Sequence, residues 1–298
     1  MVDIEWGFGY PIYFNCLYEV YQEGYPIGIE LEDRMNIIFR ELKSIRRSLI
    51  IWSTGIIFII YVGMIKYDGF SKAGQSANEM FASLPPAMKA LFGVGNLDLA
   101  VASGYYVVFY MYFVLIAGIH AIMQGAVVLS KEERDKTADF LFVKPRKRHQ
   151  IITSKIVASF LSLVILNGVT WMGSMIVVDI YNQGPPINDL IAELMIAMFI
   201  LQLVFFALGL LFGVVMKSTK KATGLSTGFL LGSFVLSAAI DIYSDIDFLK
   251  YLTPFKYFDG KIIYLEGLSP FFMGFSMVVI FLSISGTYYL FQRKDLHV

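Results

Sequence analysis

Few residues in this sequence stand where they could do chemistry. His120 and Gln124 are four apart within an apolar run, so on a helix they share a face. Asn167 and Gln202 lie in two further apolar runs. Polar groups at such positions suggest a substrate path or relay. The plainer reading is a hydrogen bond between helices, worth about 0.6 kcal/mol on average, and it is the favoured one for each of the four. No Asp, Glu, Lys or Arg sits in the middle of a run, where a proton- or sodium-driven carrier more often needs one. The histidines at 120, 149 and 297 fall in different segments, so no cluster has metal-ligand spacing and no metal site is expected. There is no H-E-x-x-H and no G-x-x-x-x-G-K-[ST]; the stretch Ser218-Thr219-Lys220-Lys221 lacks the glycines of a phosphate loop. The sequence therefore predicts no catalytic residue, no enzyme and no cofactor bound by this chain. The lone Cys16 excludes an intrachain disulfide.

The elements that hold these residues are set by lipid. Of the 298 residues, 57% are hydrophobic and 16% charged, against about 25% charged in an ordinary soluble domain; the mean hydropathy is +0.64. Six apolar runs are long enough to cross roughly 30 Å of hydrocarbon as helices: 49–65, 105–129, 156–178, 191–216, 224–240 and 271–291. No alternating barrel pattern occurs, and in lipid the backbone must be satisfied internally, so the expected fold is all-α and polytopic. From residue 35 on, seventeen bases lie before the first run, between the second and third, between the fourth and fifth, and after the sixth; six lie on the other side. That asymmetry places both termini in the cytoplasm. The formal net charge is zero, so no nucleic-acid partner is expected. Residues 1–34 carry seven acids against one base and form an N-terminal extension without an assignable role; they lack the basic and apolar regions of a cleavable signal peptide.

Two cytoplasmic segments have a shape of their own. Residues 36–48 read as an amphipathic helix, with Ile37, Ile38, Leu42 and Ile45 on one stripe and Arg40, Lys43, Arg46 and Arg47 opposite; such a helix lies along the interface before the chain turns into the bilayer. In the long loop, Ser130-Lys131-Glu132-Glu133 fits a capping box. Lys131/Asp135 and Glu132/Lys136 are opposite charges at i,i+4. The predicted helix exposes Phe140, Leu141 and Phe142 and ends before Pro145. A short charged helix with an apolar end suits a groove on a soluble partner; a solvated hairpin fits the same chemistry.

The run Glu132-Glu133-Arg134-Asp135-Lys136-Thr137-Ala138-Asp139-Phe140-Leu141, followed by Pro145-Arg146-Lys147-Arg148 and by Lys155 entering the next helix, resembles the permeases of type-2 ATP-binding-cassette (ABC) exporters. There an acidic, threonine-containing stretch leads to a leucine-rich turn, a Pro-x-x-Arg and a lysine about seven residues on. Arg40-Glu41-Leu42-Lys43, with Trp52 in the first span, is similar to that family's connecting helix. Thr253-Pro254-Phe255-Lys256-Tyr257 resembles its outer loop before the last span, and Phe291-Gln292-Arg293-Lys294-Asp295-Leu296 its usual close. The resemblance covers roughly residues 35–296, a six-span permease domain, with Lys136 where the family usually has Gly. It implies two permease chains paired with two copies of a separate ATPase that binds ATP-Mg. The segment 130–142 would be the coupling helix, with Glu132 to Leu141, Pro145 and Arg148 at the docking surface. It further implies a bacterial plasma membrane and an amphipathic or hydrophobic substrate, a peptide or antibiotic being favoured. A gradient-driven carrier or channel, and a membrane immunity or accessory protein that moves nothing, stay open.

Overall fold

The computed structural model describes residues 27–85, 87–89, 93, 97–129, 148–216 and 218–293, with backbone alone at 27–34, 77, 148 and 244. Among the described residues there is no strand. The elements are α1 (Ile27–Ala73), α2 (Gln75–Ala82), α3 (Ala102–Val128), α4 (Arg148–Tyr181), α5 (Asn188–Val215) and α6 (Thr219–Ile242). A 3₁₀ segment (Ser244–Leu252) follows, then α7 (Pro254–Tyr257), α8 (Gly260–Glu266) and α9 (Pro270–Arg293). Six of these, α1, α3, α4, α5, α6 and α9, are long and apolar enough to cross a membrane. The fold is thus the all-α, six-span polytopic one that the apolar runs predict, and the two long inter-span loops carry the short elements α2, the 3₁₀ segment, α7 and α8.

One expected turn does not occur. Residues 36–48 do not bend away from the first span: α1 is a single helix of 47 residues, about 70 Å long and more than twice the hydrocarbon thickness. Sharp bends need a Pro, a Gly or an inserted group, and the chain has neither Gly nor Pro between Gly28 and Gly55. The two-sided pattern nonetheless has a use. Arg40, Lys43, Arg46 and Arg47 are exposed, while Ile37 and Glu41 are buried as α1 packs along α4.

The centre of the bundle is α5, which touches α3, α4, α6 and α9. Its contact with α3 is closest, because both helices carry glycine there. A methyl group added at Gly213 would lie 2.7 Å from the Ala126 carbonyl oxygen, and one at Gly209 would strike the Ile122 carbonyl and come within 3.1 Å of the Ala126 amide nitrogen. Gly125, on the α3 side, faces the backbone of Phe206, Gly209 and Leu210 in the same way. In lipid no hydrophobic force drives helices together, so close backbone approach through small residues supplies the packing. Gly209 and Gly213 form a Gly-x-x-x-Gly on α5 for this purpose.

At the end of the bundle opposite the α3–α4 connection, the entry to α3 is pinned. Asn78 of α2 donates to the Asp98 carboxylate at 2.7 Å and accepts from the Leu99 amide at 2.9 Å. The crossing yields a direct contrast. Gly209→Val is expected to lower the thermal midpoint of the detergent-solubilised protein by many degrees or to abolish monodisperse folding, because its branches would meet α3 backbone. Gly228→Ala on α6, where an added methyl meets nothing within 4 Å, is expected to leave the midpoint within a degree or two or raise it; equal effects would refute the crossing.

Candidate functional site

The chemistry-bearing residues gather at the end of the bundle where α3 stops and α4 starts. Lys155, one helical stretch into α4, is only 2% exposed. Its ammonium donates to the carbonyl oxygen of Val128, the last residue of α3, at 3.0 Å. That carbonyl is one of those a helix C-terminus leaves without an intrahelical donor, and the helix dipole favours a cation there. Glu41 of α1, 5% exposed, sits with Oε1 3.8 Å from the Lys155 ammonium and 3.8 Å from the Arg40 guanidinium. A buried cation, a buried carboxylate and a helix terminus therefore lock α1, α3 and α4 together on both flanks of the 130–147 connection.

Beside this lock lies a cleft of about 250 Å³ between α1 and α3, with Glu41 at one end and Trp52, His120, Met123 and Gln124 along its walls. The Trp52 indole meets the His120 ring edge-on at 5.5 Å between centroids. Gln124 is tied to α4: it donates to the Ser159 carbonyl at 3.3 Å and accepts from the Ser162 hydroxyl at 3.1 Å. The structure thus brings two of the four polar candidates, His120 and Gln124, into one site with the connecting-helix residue Glu41. It separates the others. Asn167 donates to the Met195 carbonyl at 3.1 Å, an α4–α5 bond of the plain interhelical kind. Gln202 is fully buried within α5, with neither side-chain polar atom bonded among the described residues. Arg40 and Lys43 face outward. The docking candidates Glu132, Glu133, Arg134, Asp135, Lys136, Thr137, Asp139, Phe140, Leu141 and Pro145 lie outside the described residues, and of Arg148 only the backbone, opening α4, is described.

A second polar knot closes the opposite end. Lys256 on α7 donates to Asp241 at 2.6 Å and to Asp259 at 3.1 Å. Lys261 lies 3.9 Å from the other Asp241 oxygen, and Asp259 caps α8 by accepting from the Lys261 amide at 2.9 Å. Burial alone would push the Lys256 ammonium down, but Asp259 and Asp241 together outweigh it and hold it above its ordinary value. Around it the loop is apolar. Tyr257 stacks on Phe272 at 5.1 Å and donates its hydroxyl to the Tyr251 carbonyl, while Phe255 packs on Phe205 and Phe234. The buried Thr253 donates to the Ser233 carbonyl at 2.8 Å. Thr253-Pro254-Phe255-Lys256-Tyr257 is therefore a plug seated on α5, α6 and α9. Its aromatic and lysine content was readable; its acidic partner Asp241, in the preceding span's last turn, was not.

These features define a polytopic helical membrane protein with no metal-binding group of three or more His, Cys, Asp or Glu among the described residues. Residues 35–296 match the family described as ABC-2 family transporter protein, and the chain belongs to that family. No curated protein matches the chain. The protein is accordingly a transmembrane transporter subunit. Its family comprises membrane components that are typically non-catalytic and that work, in general, with an ABC ATPase.

Two outcomes follow from the polar knots. Lys155→Met leaves Glu41 buried beside an apolar group and is expected to cost about 3–5 kcal/mol, whereas the double variant Glu41→Met/Lys155→Met recovers most of that loss; denaturant unfolding in detergent measures both, and a silent single variant would refute the lock. For Lys256, whose folded-state pKa is raised above the ordinary lysine value of 10.5, the stabilisation is fully present below that pH and is lost as pH rises through the folded value. The wild-type midpoint should therefore fall above pH 10.5 relative to Lys256→Arg, which stays charged. Tyr257, which burial pushes up to about 12, is common to both proteins and cancels; parallel curves would refute the role of the lysine.

Proposed function

We propose that this chain is the permease subunit of an ABC exporter. Two copies pair with two copies of a separate ATPase, and the spans line the path of an amphipathic or hydrophobic substrate, a peptide or antibiotic being favoured. ATP-Mg is bound and hydrolysed by the ATPase, not by this chain. Both termini and the 130–147 connection face the cytoplasm of a bacterium, as the excess of bases on that side supports.

The observation that carries this reading is the Lys155 lock joined to the family match. The 130–147 connection leaves α3 just after Val128 and re-enters at α4, and Lys155 clamps those two flanks to each other and to Glu41 of α1. A push delivered to the connection by a moving ATPase reaches three spans at once through groups that are buried and so poorly screened. Glu132 to Leu141, Pro145 and Arg148 are the docking residues in this scheme; Arg40, Glu41 and Lys43 belong to the responding helix. His120 and Gln124 are the polar patch that a substrate meets, while Asn167 and Gln202 serve packing.

The test is retention of the ATPase. The tagged chain, expressed in its native host, is expected to co-purify with an ABC ATPase. Deleting 132–142 is expected to reduce retention by at least tenfold and to stop export while membrane insertion persists. Undiminished retention and export after the deletion, or transport in liposomes driven by an ion gradient with no ATPase present, would overturn the assignment.

A further inference from the structure

We infer that the cleft between α1 and α3 is a binding site for an uncharged amphipathic molecule that brings an amide or hydroxyl donor to Glu41 and an apolar body to Trp52. Two polar groups in it are unmet. The Glu41 carboxylate is nearly buried, yet both of its ionic partners stand at 3.8 Å, beyond hydrogen-bond reach, and it accepts no hydrogen bond among the described residues. His120 is 3% exposed and its Nδ1 has no partner among the described residues. A nearly buried carboxylate held by ion contacts at 3.8 Å without a hydrogen bond among the described residues, and a buried imidazole nitrogen without a partner there, are each costly, and such groups are ordinarily satisfied. The remaining side-chain amide of the cleft, Gln124, already has one acceptor and one donor on α4 and keeps an N–H and a lone pair for a ligand.

The rest of the lining selects the ligand. Trp52 and Met123 offer an aromatic and a polarisable wall, so water alone would leave apolar surface wet. The charge of Glu41 is already balanced by Lys155 and Arg40, which disfavours an ammonium and favours a neutral N–H or O–H. The cleft runs between two membrane-crossing helices, and Ser48 on its rim is exposed, so the site is open to a molecule already dissolved in the bilayer. This inference deepens the exporter reading, which already has a substrate meet His120 and Gln124, by naming the chemistry the cleft takes. Its test needs no ATPase, so it can fail while the exporter reading holds, and the reverse.

The probe pair is 11-bromoundecyl acetamide and 11-bromoundecyl acetate, equal in length and differing by one N–H. With Trp6→Phe and Trp171→Phe, Trp52 is the single tryptophan, and bromine quenches its fluorescence in vesicles. The amide is expected to reach half-quenching at about tenfold lower mole fraction than the ester, the discrimination of one hydrogen bond to a charged acceptor. A protein retaining only Trp171 should show no such preference. Ser48→Phe, introduced at an exposed position, fills the cleft and should bring the amide curve onto the ester curve. Superimposed amide and ester curves at Trp52, an equal preference at Trp171, or a preference that survives Ser48→Phe in a folded protein would each overturn the site. The amide–ester comparison decides the matter even if that variant does not fold.

Discussion

The ammonium of Lys155 has to be satisfied inside the bundle, and this requirement arranges one whole end of the molecule. Few residues are costlier to bury than an unpaired lysine, so its neighbours are constrained in kind and place. An acceptor comes from the last turn of α3, where carbonyls are free, and a carboxylate comes from α1. Those two demands fix the register of α1 against α4 and the distance between the end of α3 and the start of α4. Attraction at 3.8 Å in a medium of low dielectric is strong, but so is the cost of dehydrating both ions. The pair is therefore better understood as a specification of geometry than as a large net gain in stability.

The remaining architecture is a response to lipid. Since hydrocarbon does not press apolar side chains together, the bundle is held where backbones touch, at Gly125, Gly209 and Gly213. This makes α5 the axis and leaves α1 and α9 with broad exposed apolar faces, including Ile50, Ile51 and Phe58 on one and Phe281 and Leu282 on the other. In water such faces would be a liability; here they meet the solvent they match. The polar interior contacts are few and local, as with Asn167 to the Met195 carbonyl and Ser162 to Gln124.

How much of this could be read from sequence follows from what each feature depends on. The spans depend on run length and composition, both local, and five of the six emerge within a few residues of the apolar runs or with an added turn or two at their ends. The first differs more, because a change of composition at residue 48 suggests two elements whereas the backbone, free of Gly and Pro there, continues as one. The grouping of His120 with Gln124 is local periodicity and holds. The plain interhelical role holds for Asn167, while Gln202 is buried without a bonded partner. The Glu41–Lys155 and Lys256–Asp241 pairs were beyond reach, since nothing local distinguishes an exposed charge of an amphipathic stripe from one that meets a partner on another helix. Gly209 and Gly213 are visible as a spacing, but which helix they receive is a tertiary fact.

The two polar knots also differ in what they permit. At the Lys256 end the lysine touches both carboxylates at hydrogen-bond distance beside stacked aromatics, so its groups are closely tied to one another. At the Lys155 end the ionic contacts of Glu41 are loose and a cleft remains between α1 and α3. Tyr105 at the entry to α3 donates to the Gly63 carbonyl of α1 at 2.9 Å, which puts a fixed α1–α3 contact well away from the cleft. The α1–α3 pair is thus held by a hydrogen bond at one end and borders a cleft at the other, and Glu41 and His120 lie at the end where α1 and α3 are less closely joined.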